Sequence, residues 1–160
     1  MRTAAIRPAA TLAPPARAPH PTVECCRIID VPAHADQRGR LAAIELMGLV
    51  PFAVDRMFWV TGLAMGAQRG GHANDLVHEL IVCVSGALRV TVDDGDDQRA
   101  FILNGSDRAL YLPAGMWAVQ EAIADATTYV VLANLTYVDA LPGYVRDYDE
   151  YCASRIRAGA

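Results

Sequence analysis

The chain has 160 residues, 53% of them hydrophobic and 20% charged, with a formal net charge of −4. That length and apolar content suit one domain with a buried core. An acidic chain without a basic stripe excludes a nucleic-acid surface, and no apolar run is long enough to span a bilayer, although a few placed arginines leave a nucleotide diphosphate open as a ligand.

Residues 1–22 are rich in Ala and Pro and carry no acidic residue. Pro and Arg interrupt every apolar run there, so the stretch reads as a disordered tail and not as a secretory leader. The folded part is expected over residues 23–160. "VECCRIIDV" (23–31) predicts a first strand, and "RLAAIEL" (40–46) a second after the polar "AHADQRG". "AVDRMFWVTGL" (53–63) is a third, and "LVHELIVCVSG" (76–86) the strongest in the chain. "ALRVTVDDGDDQRAFIL" (87–103) reads as two strands joined at a solvated "DDGDD" hairpin turn. "ALYLPAGMWAVQEA" (109–122) is strand, turn, strand, and "TTYVVLANL" (127–135) a buried strand. The final segment, "LPGYVRDYDEYCASRIR" (141–157), predicts a helix with its tyrosines packed on the sheets. Many short strands and one terminal helix predict an all-β fold, a jelly-roll β-barrel whose closure removes edges and whose mouth admits a small ligand.

Cys25, Cys26, Cys83 and Cys152 contain no CxxC spacing. A disulfide framework is not expected in a domain this large, and free thiols point to a reducing, cytoplasmic setting.

The stretch "GAQRGGHANDLVHELIVCVSG" (66–86) carries the chemistry. Gly66, His72, Asn74, Glu79 and Gly86 follow the spacing of the first cupin motif, G-x5-H-x-H-x4-E-x6-G, with Asn74 at the second His. Pro113 and Gly115 resemble part of the second motif, where Ala118 stands at the His. The resemblance implies a cupin fold. Two good donors, His72 and Glu79, rarely hold a transition metal, so neither a metal nor another cofactor is expected.

A narrower resemblance covers nearly everything after residue 23. "RGRLAAIE" (38–45), "PFAVDR" (51–56), "RGGHAN" (69–74), "VCVSGALRVTVDDG" (82–95), "LYLPAGMW" (110–117) and "YVRDYDEY" (144–151) are similar, in order, to segments of the sugar-nucleotide 3,4-ketoisomerases. That family is metal-free and dimeric. It moves a carbonyl between adjacent carbons of a dTDP-linked 4-keto-6-deoxy sugar through an enediol. The resemblance implies that His72 is the base, because imidazole both takes and gives a proton near neutral pH. It departs at Asn74, at Ala118 and at Phe58-Trp59, where the family carries His, His and Tyr.

Each site residue has a plainer alternative. Asn74 is a hydrogen-bond donor to a ketone or a turn residue. Tyr111 supplies a phenol to the enediolate or is an ordinary half-buried strand tyrosine. Arg69 and Arg89 are diphosphate contacts or solvated charges. Glu79 either points inward beside His72 or outward; strand alternation counted back from residue 80 argues against both facing in. Phe58, Trp59 and Trp117 are expected as substrate-facing lining. His34 and His78 read as surface or structural. Beside the isomerase stand two rivals: a divergent cupin enzyme acting on a less polar metabolite in natural-product biosynthesis, and a non-catalytic small-molecule-binding barrel. A homodimer is expected, partly from the resemblance and partly because the strand at 23–31 leaves an edge to cover.

Overall fold

The computed structural model describes residues 20–156, so the predicted tail lies almost wholly outside the described residues. One five-stranded sheet contains β1 (Arg27–Asp30), β4 (Arg56–Leu63), β6 (Glu79–Ser85), β9 (Arg108–Leu112) and β11 (Thr127–Ala133), in the spatial order β1-β9-β6-β11-β4. A second contains β5 (Gln68–Asn74), β7 (Leu88–Asp93), β8 (Gln98–Leu103), β10 (Trp117–Ala122) and β12 (Tyr144–Val145), ordered β12-β5-β10-β7-β8. β2 (Ala33–Asp36) and β3 (Gly39–Ala42) form a separate hairpin. Two helices, α1 (Tyr137–Ala140) and α2 (Tyr148–Ile156), complete the fold.

The core follows from alternation. In β7, Leu88, Val90 and Val92 are fully buried while Arg89 and Thr91 stay half-exposed. They meet Ile81 and Cys83 of β6, Leu110 and Leu112 of β9, and Val131 of β11 across the space between the sheets. The first sheet is covered on its other face too. There Leu80, Val82, Ala109 and Leu132 pack with Val31 and Val50. A strand buried on both faces needs no polar alternation, which is why residues 80–83 form an unbroken apolar run.

The expected all-β fold is present, but among the described residues no ladder joins the two sheets into a closed barrel. Edges remain at β1 and β4 in one sheet and at β12 and β8 in the other. The first predicted strand opens with a 3-10 turn at Val23–Cys25. "AHADQRG", read as a polar connection, pairs with β3, and every residue of β2 is exposed. Without an apolar face it leaves no period to detect. The terminal helix begins at Tyr148, not 141: Leu141–Gly143 forms a 3-10 turn, Tyr144 and Val145 pair with β5, and the Asp147 carboxylate caps α2 by accepting the Glu150 N–H at 2.9 Å.

The β7–β8 turn is more than a solvated loop. Asp93 is 4% exposed, and its carboxylate accepts hydrogen bonds from Gly95 N–H (2.6 Å), the Gln98 amide (2.7 Å) and the Tyr148 hydroxyl (2.6 Å). Fully buried Tyr151 donates to the Asp93 carbonyl at 2.7 Å and accepts from Trp117 N–H at 3.2 Å. These bonds fasten α2 to the second sheet. Tyr151→Phe keeps the ring and strands buried main-chain groups, so chemical denaturation is expected to show a loss of about 1–3 kcal/mol.

Candidate active site

A cavity of about 490 Å³ lies between the sheets. Phe58, Glu79, Tyr129 and Val131 line it from the first sheet, and Arg69, His72, Gln120 and Tyr144 from the second. A recess of about 20 Å³, enough for one water-sized group, adjoins it and shares His72, Glu79, Gln120 and Tyr144.

A β-bulge sets up the second-sheet wall. His72 pairs with Ala118, but Gly70 pairs with Val119 and Arg69 with Gln120, so Gly71 is the extra residue. In regular alternation Arg69 and His72, three apart, would face opposite sides. The extra residue turns both toward the cavity. Gly70 and Gly71 take φ of 78° and 67°, the left-handed region that glycine enters without strain. A Cβ on Gly70 would stand 2.5 Å from the Ala118 carbonyl oxygen.

His72 is half-buried, its ring 5.0 Å from that of Tyr144. Burial holds its pKa below the usual histidine value; the hydrogen bond to the Gly70 main chain opposes this, and the Arg146 charge adds to it. The ring is therefore neutral near pH 7, the form that accepts a proton. Arg146 itself lies over the Tyr144 ring at 5.0 Å.

Glu79 also faces in. Residues 75–78 lie between β5 and β6 as loop, so strand parity does not carry across them, and Glu79 joins Ile81 and Cys83 on the inner face of β6. Burial pushes its carboxyl up to about 7, against the pull of the Arg56 charge. Tyr129 borders the same space, its phenol raised by burial to about 12.

Five sequence-based assignments change. Asn74 lines the recess, but its amide donates to the Ala140 carbonyl at 2.9 Å and its oxygen accepts Leu76 N–H at 3.0 Å. Those bonds make it a brace for the segment carrying Tyr144, the turn alternative weighed for it. Tyr111 sits on the far face of the first sheet, because Leu110 and Leu112 take the inner face; its hydroxyl bonds His78 Nδ1 at 2.9 Å. Trp59 is 62% exposed, since Phe58 and Val60 point inward. Trp117 lies outside the cavity against Tyr148 and Tyr151, ring centroids 5.1 and 5.5 Å away. Arg89 is on the outer face of β7 and pairs with Glu121 at 3.1 Å. Arg69, His72, Glu79 and Phe58 are the assigned residues that the fold brings together around the cavity. Sequence reasoning missed Tyr129, although alternation from buried Thr127 through 129 and 131 marks an inward face. It missed Tyr144 and Arg146 as lining because they were read as helix.

Among the described residues no three His, Cys, Asp or Glu side chains gather as a metal-holding group. One imidazole and one carboxylate are too few donors for a resident transition metal.

A family model described as FdtA: WxcM-like, C-terminal matches residues 24–155. The chain belongs to this family. The FdtA-family chain is 28% identical over 125 residues to a TDP-4-oxo-6-deoxy-α-D-glucose-3,4-oxoisomerase of Aneurinibacillus thermoaerophilus, covering 78% of this chain and 88% of that protein. It superposes on a 3,4-ketoisomerase from Helicobacter canadensis with a TM-score of 0.75 at 26% identity, covering 82% and 97% of the two chains. It matches the WlaRB TDP-quinovose 3,4-ketoisomerase from Campylobacter jejuni with a TM-score of 0.72 at 30% identity, covering 80% and 97%.

The Glu79 carboxyl of this FdtA-family site has a pH signature. Its folded value, about 7, lies above the ordinary 4.5, so folding takes up a proton between these limits. Its contribution to stability is present below the unfolded value and is lost as pH rises through the folded one. Thermal melts of wild type and Glu79→Gln across this window are expected to diverge, with wild type losing stability relative to the variant as pH rises and the gap constant above it.

Proposed function

We propose that this chain is an isomerase that moves a carbonyl between adjacent carbons of a TDP-linked 4-keto-6-deoxy sugar, with His72 as the base. The observation that carries this reading is a neutral imidazole on the wall of a sugar-sized cavity, in a family whose matched relatives bear 3,4-keto- or oxoisomerase names. The hydrogen on the carbon beside the ketone is acidic because the resulting charge spreads onto the ketone oxygen. His72 takes that proton, an enediol forms, and the same ring returns a proton to the neighbouring carbon. Arg69 and Arg146 border the cavity, where forked guanidinium groups suit a diphosphate. Phe58 offers an apolar wall to the 6-deoxy side of the sugar.

The rival reading, a less polar substrate, needs three aromatic linings and keeps one, because Trp59 and Trp117 face away from the cavity. We further infer a homodimer. Met57, Trp59 and Val84 leave apolar surface on the outer face of the first sheet, and β4, which carries Met57 and Trp59, is an unpaired edge. The four cysteines are unpaired thiols, which suits the reducing cytoplasm. No helix among the described residues is long and apolar enough to cross a membrane.

In deuterated water with a TDP-linked 4-keto-6-deoxy sugar, deuterium is expected at the carbon beside the ketone, and His72→Ala is expected to slow its entry by about 100-fold or more. Because the folded His72 titrates below 6.5, the acid limb of kcat/KM is expected below that pH. Exchange unchanged in His72→Ala rejects the assignment of the base.

A further inference from the structure

Moving a carbonyl relocates two hydrogens, one between carbons and one between oxygens. His72 accounts for the carbon pair. The ketone oxygen must also gain a proton and the neighbouring hydroxyl must lose one. The amides of Asn74 and Gln120 cannot shuttle a proton. The guanidinium groups of Arg56, Arg69 and Arg146 hold theirs.

Resting on the isomerase reading above, we propose that Glu79 is the catalytic acid–base group of the oxygen side: from the wall opposite His72, its carboxyl gives a proton to the ketone oxygen and takes one from the adjacent hydroxyl. Glu79 is on the first sheet and His72 on the second, and both border the cavity and its recess. A substrate ring between the sheets thus meets one group on each side. Among the described residues no hydrogen bond or ion pair occupies the Glu79 carboxyl; burial and the Arg56 charge are what act on it. An unspent carboxyl in a cavity is free to bond substrate. With its pKa about 7 it is present in both protonation states near neutrality, which a donor that must also accept requires. Tyr129, pushed up to about 12, can give a hydrogen bond but is far less suited to cycling. Tyr144 packs its ring on His72.

The steps balance. His72 takes the carbon-bound proton, and the C–H electron pair becomes the C=C bond. The ketone π pair moves to oxygen, which receives the Glu79 proton. A neutral enediol then lies between imidazolium and carboxylate. The carboxylate removes the hydroxyl proton, that O–H pair becomes the new C=O bond, and the C=C pair takes the proton from imidazolium at the former ketone carbon. Both side chains end as they began, and no oxidant or reductant is consumed. Two carboxyl oxygens can serve the two neighbouring sugar oxygens without moving the chain.

The test follows two signals with a TDP-linked 4-keto-6-deoxy sugar in deuterated water: deuterium entry beside the ketone, and appearance of the 3-keto isomer. Glu79→Gln keeps the shape and a hydrogen-bond donor. It is expected to retain exchange within about 10-fold while isomer formation drops by about 100-fold or more, and to lose the fall in kcat/KM above about pH 7. Glu79→Ala is expected to regain isomer formation in proportion to added acetic acid, a recovery that a merely structural role does not allow. Glu79→Gln that isomerises within a few-fold of wild type overturns the assignment. So does an equal loss of both signals with no acetate recovery in Glu79→Ala. Wild-type protein that neither exchanges nor isomerises overturns the isomerase reading, and this assignment with it.

Discussion

The site depends on one extra residue in β5. Without the Gly70–Gly71 bulge, Arg69 and His72 would sit on opposite faces of the second sheet. With it, a cation and an imidazole three positions apart both border the same cavity. The neighbouring strand enforces the choice of glycine, because the Ala118 carbonyl leaves no room for a Cβ at Gly70. Backbone geometry, more than side-chain packing, therefore decides which groups a substrate meets.

Burial then tunes what those groups can do. Taking an imidazole and a carboxyl out of water disfavours the charged form of each, so His72 shifts down and Glu79 shifts up. Both displacements favour the uncharged form, so near neutral pH the imidazole can accept a proton and the carboxyl still holds one in part of the population. Arg56 and Arg146 modulate them without hydrogen-bonding either group among the described residues, lowering both values. The result is a proton acceptor and a proton donor on facing walls, which is what an uncharged enediol needs.

The rest of the fold holds this arrangement still. Asn74 pins the segment after α1, and that segment brings Tyr144 onto the His72 ring. Asp93 and Tyr151 tie α2 to the β7–β8 turn and to β10. Several residues that look chemical in the sequence, among them Asn74, Trp117 and the aspartates of the turn, serve this scaffold.

Local pattern was enough to read the strands of strong period: β6, β7, β10 and β11 fall within the segments expected and β9 starts one residue before its own, because alternation or an unbroken apolar run is a property of neighbours in the chain. The family resemblance was equally legible, since it depends on residue identity and spacing. Exposed β2 was not legible, for it has no apolar face, and neither was the late start of α2, which tertiary pairing of Tyr144 with β5 imposes. The facing of individual side chains was decided by the folded structure alone. Parity stops at a loop and inverts at a bulge, so Glu79 turns inward, Arg69 joins His72, and Tyr111 and Trp59 turn away. Which groups share a cavity depends on how two sheets face one another, and that relation is nonlocal: no window of the chain contains both His72 and its partners on the opposite wall.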